Sequence, residues 1–144
     1  MIYIFENLIP IILATATAFA FGAVYYMLVG KSWMAAANLT EDKLKGPDGK
    51  TSPMPFVIAL FAELWMAAIL AGALILSPTD AGMWTMTIGT ALIIWIGFVV
   101  PTMVVNHRYQ MLPWKLTLID GGHWLGVMLV QAIVLRFVGL ELPA

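Results

Sequence analysis

Two long segments without a formal charge constrain this chain more than any other feature. No Asp, Glu, Lys or Arg occurs from Asn7 to Gly30 or from Ala81 to His107. Two further apolar segments contain one charge each, Glu63 in the first and Asp120 in the second. A helix needs roughly 20 mostly apolar residues to cross the hydrocarbon core of a bilayer. The sequence therefore predicts four membrane-spanning helices, near residues 8–30, 55–76, 83–105 and 115–138.

The composition agrees with this prediction. Hydrophobic residues make up 62% of the chain and charged residues only 10%, against about 25% charged residues in a typical soluble domain. So few charges cannot form the shell of a soluble enzyme, and so much apolar surface excludes a disordered chain. The net charge of −1 gives no basic excess for nucleic acid, and the lack of cysteine excludes disulfides and thiolate chemistry.

The spacing of the spans indicates one all-α domain. We expect a single four-helix transmembrane domain over residues 1–144, because the segments lack the alternation of a barrel wall and only the 31–54 loop is long. Six of the seven basic residues lie in or beside the 31–54 and 106–114 loops. The positive-inside rule then places both loops in the cytoplasm and both termini outside. A secretory signal starts with positive charge, so we expect the first span to be retained.

Small residues recur at four-residue spacing in three of the spans. Such faces let helix backbones approach closely in lipid, where no hydrophobic force drives helices together. We expect these faces to pack within the monomer, with dimerisation as the alternative. They comprise Ala14, Ala18 and Gly22 in the first span, Ala68 and Gly72 in the second, and Gly122 and Gly126 in the fourth.

Polar side chains inside the spans are the best clues to function, because ionisable groups are costly in hydrocarbon. Glu63 and His123 each lie eight residues into a span, roughly 12 Å deep from the same side, so the two can form a pair. Asp120 precedes His123 by three residues and shares its helix face. The sequence predicts a polar cavity that opens to the cytoplasm and is lined by Tyr26, Glu63, Thr102, Asn106, Asp120 and His123.

Most of these residues also have a structural interpretation. Glu63 can be a protonated side chain bonded to a neighbouring helix, and Asp120 a carboxylate favoured near the start of its helix. His123 can be a hydrogen-bonded interior histidine. Nearby, we expect His107 and Arg108 to form a solvated helix end that faces the headgroups. We expect Trp33 to anchor its helix at the membrane interface. Pro101 should free a carbonyl one turn earlier and kink the third span.

The candidate residues lack a signature of catalysis. Only one imidazole lies at the depth of the two carboxylates, which is too few for a typical transition-metal site, and no nucleophile accompanies them. We therefore predict no catalytic residue, no metal and no cofactor.

Two parts of the sequence resemble a known family. The segment Gly22–Trp33 reads GAVYYMLVGKSW, and Val105–His107 is followed by Lys115–His123, which reads KLTLIDGGH. These segments resemble the first helix and the last two helices of a family of small bacterial membrane proteins, the domain of unknown function seventeen sixty-one. The resemblance extends over nearly the whole chain. It implies a four-helix architecture and a bacterial origin, hence the inner membrane, and it supplies no catalytic residues.

These observations favour a non-enzymatic membrane protein. We predict an accessory or assembly subunit that packs with itself or within a larger respiratory, photosynthetic or transport complex. One alternative is a small-solute or proton-coupled transporter or channel that uses Glu63, Asp120 and His123. A second alternative is an intramembrane lipid-binding protein or enzyme. The expected partners are the lipid bilayer and a second copy or other membrane subunits, with no nucleic acid.

Overall fold

Helices account for most of the chain. The computed structural model describes residues 2–46, 49–78 and 80–142. Those ranges contain no β-strand, and four of the helices are long and apolar enough to cross a membrane. This confirms the predicted all-α class and the four candidate spans. The α-helices are α1 (Tyr3–Glu6), α2 (Leu8–Ala36), α3 (Met54–Ile75), α4 (Met83–Tyr109) and α5 (Trp114–Val138).

The first long helix extends past the predicted end of its span. The predicted span stops at residue 30 because Lys31 follows, but α2 continues to Ala36 with Lys31 exposed at its surface. A lysine at the end of a span can place its ammonium in water while its stem covers apolar surface. The first residues of the predicted 31–54 loop are therefore helical. The rest of that loop contains a 3₁₀ turn at Glu41–Leu44, and its residues 47 and 48 lie outside the described ranges.

The first and last described segments of the chain meet at one end of the bundle. We call this the terminal end, which includes residues 76–78 and 80–82, and we call the opposite one, with residues 37–46, 49–53 and 110–113, the loop end. Asn7 is fully buried at the terminal end. Its Nδ2 donates to the carbonyls of Tyr3 (2.9 Å) and Glu141 (3.1 Å), and its Oδ1 accepts the Glu141 N–H at 2.7 Å. One amide side chain thus joins the N-terminal turn to the segment that follows α5.

The small-residue faces pack inside the monomer, as predicted. α5 contacts every other long helix and packs most extensively on α2. A methyl group on Gly22 of α2 would lie 2.9 Å from Nε2 of His123, and one on Gly126 of α5 would overlap the Phe21 ring. On α3, a methyl group on Gly72 would lie 2.6 Å from the Tyr3 hydroxyl. These glycines are required because the space for a side chain is already filled.

One long helix is much less buried than the other three. Within its most apolar window α4 is only 6% buried, against 28–39% for the other three long helices. It also departs from regular α-helix at Trp95–Val99, where the Val100 N–H bonds to the Trp95 carbonyl in a π turn. Pro101 follows two residues later and has no N–H to donate to the preceding turn. The predicted disturbance at Pro101 therefore takes the form of a π turn.

The close contact between α2 and α5 gives a prediction for stability. Gly126→Ala should lower the free energy of unfolding by about 1–3 kcal/mol, because the added methyl displaces the Phe21 ring. Gly30→Ala is the matched control, because the space beside Gly30 on α2 is open and alanine is the better helix former by about 1 kcal/mol. SDS titration in mixed micelles, followed by circular dichroism, measures both. Equal stability of the two variants would contradict the packing described here.

Candidate functional site

A polar network near the loop end joins three helices around Asp120. Oδ1 of Asp120 accepts hydrogen bonds from the Tyr26 hydroxyl (3.1 Å) and from Nε1 of Trp33 (2.9 Å), both on α2. Its other oxygen, Oδ2, lies 3.7 Å from Nε2 of His107 on α4. The side chains of Asp120 and His107 are only 17% and 14% exposed. The carboxylate is thus shielded and surrounded by hydrogen-bond donors from two neighbouring helices.

The network continues through Thr117, one turn before Asp120 on α5. Its Oγ1 accepts a hydrogen bond from Nη2 of Arg108 (2.9 Å) and lies 3.0 Å from Nδ1 of His107. A hydroxyl that accepts from Arg108 can donate its own hydrogen to Nδ1, which leaves the Nε2–H of His107 facing Asp120. The guanidinium of Arg108 also stacks over Trp114, 4.0 Å from the ring centroid. His107 and Arg108 are therefore packed against α5, and the expectation of a solvated helix end is wrong.

His123 lies one turn further along α5 in an aromatic environment. Its ring centroid is 4.8 Å from that of Tyr26, 5.6 Å from Tyr25 and 6.4 Å from Phe21. The residue is 6% exposed, and its buried Nδ1 has no hydrogen-bond partner among the described residues. The imidazole thus packs against aromatic rings between α2 and α5. It lies next to the Asp120 network, but its Nδ1 makes no hydrogen bond to that network.

Glu63 is buried at a different level of the bundle. It is 2% exposed, and its backbone carbonyl accepts a hydrogen bond from Nε2 of Gln131 at 2.9 Å. Oε2 of Glu63 and Oε1 of Gln131 both lack partners within the described ranges. Gln131 lies eight residues beyond His123, or about 12 Å along α5. The equal depth predicted for Glu63 and His123 assumed that their spans start at the same level, whereas α3 and α5 are offset along their axes.

Thr102 and Asn106 lie on the outside of the bundle. Both are exposed, and together with Gln110 they line a groove of about 520 Å³ between α4 and Trp124 of α5. His107 also borders this groove, and its Nε2 faces Asp120. The six predicted residues therefore lie in three separate places. Tyr26, Asp120 and His123 lie together, Glu63 lies beside Gln131, and Thr102 and Asn106 line the outer groove.

Several members of the Asp120 network were not predicted from the sequence as site residues. Trp33 was expected to anchor the chain at the interface, and Thr117 was not singled out. Helical spacing contains a signal for both. Trp33 follows Tyr26 by two turns, and Thr117 precedes Asp120 by three residues, so each shares a helix face with a predicted site residue. His107 could not be found this way, because its contact joins two different helices.

Comparison with known proteins places most of the chain in one family. The model of a family described as "Protein of unknown function (DUF1761)" matches residues 9–136. This range contains the whole Asp120 network as well as Glu63 and His123. Neither the curated proteins nor the solved structures include a match to the chain.

The two hydrogen bonds to Oδ1 give a prediction for Asp120. Asp120→Ala should lower the free energy of unfolding by about 2–4 kcal/mol, because the Tyr26 hydroxyl and the Trp33 indole N–H lose a charged acceptor. Asp120→Asn should cost less, because an amide oxygen can accept both bonds. Unfolding in mixed micelles measures the loss of stability. Repeating Asp120→Ala in a protein that already carries Trp33→Phe tests whether the Trp33 hydrogen bond contributes to that loss. If Asp120→Ala costs the same with and without Trp33, that bond does not contribute.

Proposed function

We propose that this chain, which belongs to the family described as "Protein of unknown function (DUF1761)", is a non-enzymatic subunit that associates with a second copy of itself through α4. Its four apolar helices are those of a membrane protein. We assign it to the bacterial inner membrane with the loop end in the cytoplasm, because six of its seven basic residues lie at or near that end.

The low burial of α4 carries this proposal. Only 6% of its apolar window is buried inside the monomer. Its glycines Gly89 and Gly97 have open space beside them, in contrast to the filled positions at Gly22 and Gly126. Small residues at a helix surface let a second backbone approach closely, and such contacts drive helix association in lipid. The outer face of α4 therefore has the properties of a helix-packing surface without a partner from its own chain.

The polar side chains of α4 favour a second copy as the partner. Thr102, Asn106 and Gln110 follow one another at four-residue spacing and line the outer groove. Within the described residues the Asn106 amide has no hydrogen-bond partner. Hydroxyl and amide groups both donate and accept, so each can pair with its own equivalent across a two-fold axis. No formal charge occurs from Met83 to His107, so two copies bring no like charges together on this part of the helix.

The placement of the ionisable groups supports a subunit over a transporter. A transport path would need Glu63, Asp120 and His123 to share one passage. Instead, the backbone carbonyl of Glu63 accepts a hydrogen bond from Gln131, which lies about 12 Å beyond His123 along α5. Val127 and Met128, which are 0% and 3% exposed, occupy α5 between those levels. Along α5, buried apolar residues therefore intervene between His123 and Gln131.

Cysteine crosslinking tests the association directly, because the chain has no cysteine of its own. Thr102→Cys should form a disulfide-linked dimer when membranes containing the protein are oxidised. Phe61→Cys is the matched control, since Phe61 is 66% exposed on α3, away from the proposed interface. The yield of the crosslinked dimer, measured on non-reducing gels, should be high for the first variant and near background for the second.

The contribution of Asn106 can be measured in the same system. Asn106→Leu should raise the dissociation constant of the dimer about 5- to 30-fold, because interhelical hydrogen bonds in membranes contribute about 1–2 kcal/mol in peptide systems. Energy transfer between labelled copies in vesicles measures this constant at several protein-to-lipid ratios. The proposed dimer would be overturned if Thr102→Cys and Phe61→Cys gave equal yields of crosslinked dimer. It would also be overturned if the energy transfer did not exceed the value expected for randomly distributed copies.

A further inference from the structure

Arg136 is the one basic residue at the terminal end of the bundle. Its Nε donates to Oγ1 of Thr87 at 2.9 Å, and Thr87 is fully buried and donates in turn to the Met83 carbonyl. No Asp or Glu oxygen lies within 4 Å of the guanidinium among the described residues, which include Glu6, Asp80 and Glu141. The guanidinium is thus held in place through one nitrogen, while Nη1 and Nη2 have no partner in the described part of the chain.

A cavity of about 260 Å³ lies beside this arginine. Apart from Arg136 and Ser77, its walls are apolar, and the Ser77 hydroxyl is already used in a 2.7 Å bond to the Leu74 carbonyl. The walls come from the end of α3, the start of α4 and the segment after α5. The apolar lining includes Leu74, Met83, Met86, Leu140 and Leu142.

We propose that this cavity binds an anionic phospholipid, with the headgroup phosphate at Arg136 and part of an acyl chain against the apolar walls. Arginine presents its terminal N–H groups in a planar fork that matches the oxygens of a phosphate. The cavity lies where the spanning helices α3, α4 and α5 begin or end, which is the level of the headgroups in a bilayer. The site is separate from the Asp120 network and from the α4 groove.

The combination of one fixed cation with apolar walls selects a lipid over a free anion. A soluble anion would gain only the contact with Arg136 and would leave the apolar walls uncovered. An amphiphile satisfies both parts, because its phosphate meets the guanidinium and its chain covers Leu140, Leu142 and Met83. The hydrogen bond from Nε to Thr87 orients the Arg136 guanidinium before the lipid binds, which reduces the entropy lost on binding.

Native mass spectrometry of the full chain in mild detergent tests the site. Titration with phosphatidylglycerol should give a one-to-one adduct, and phosphatidylcholine should bind about tenfold or more weakly. Arg136→Gln should weaken phosphatidylglycerol binding about tenfold or more, because it removes a charged hydrogen-bonding partner. Lys31→Gln, which removes an exposed basic residue of α2 near the opposite end, is the matched control and should retain the adduct.

A second variant separates loss of the site from loss of the fold. Met83→Trp keeps Arg136 and fills the cavity, and Met83 is 50% exposed, so the larger side chain can be accommodated. This variant should also lose the adduct while its circular dichroism stays unchanged. The proposal is overturned if Arg136→Gln and Lys31→Gln bind phosphatidylglycerol equally. It is also overturned if Met83→Trp keeps full affinity, or if inorganic phosphate displaces the lipid at equimolar concentration.

Discussion

Hydrocarbon offers no hydrogen bonds, so a polar side chain in a spanning helix is stabilised when it bonds to another group of the protein. α5 shows the consequence most clearly. It has the lowest mean hydropathy of the four long helices, 1.6 against 2.0–2.2, yet it packs against all three others. Its polar residues reach in different directions, with Asp120 bonded to α2, Gln131 to α3 and Arg136 to α4. The least apolar helix therefore occupies the centre of the bundle.

The glycines of α5 make this central position possible. Gly121 and Gly122 each face a neighbouring side chain, with a Met103 methyl 3.1 Å and the Tyr25 hydroxyl 2.9 Å from where a Cβ would stand. Such short separations bring the backbone of α5 within reach of donors on other helices. Tyr25 donates to the Ile119 carbonyl at 2.8 Å, and Trp95 donates to the Gly121 carbonyl at 3.0 Å. Close packing and hydrogen bonding thus depend on the same small residues.

The sequence was sufficient to predict the features that depend on one helix at a time. Segments with no charge or with a single charge located the four helices, and four-residue spacing identified the small faces at Gly22, Gly72 and Gly126. The candidate site was predicted only in part, because it depends on the relative positions of helices. Asp120, Tyr26 and His123 do lie together, but Glu63 lies at another level since α3 is offset from α5. His107 joins the site through the way α4 packs, which no spacing within a helix encodes.

The position of α4 is set by its hydrogen bonds to α5. α5 holds it through Arg136 and Thr87 at the terminal end, through Trp95 and the Gly121 carbonyl at the π turn, and through Arg108 and Thr117 at the loop end. All three bonds leave from the side of α4 that faces α5. A helix fixed at three levels along one side has little freedom to turn its opposite side inward. The open sides of Gly89 and Gly97 are thereby kept facing outward, in the orientation that the proposed dimer requires.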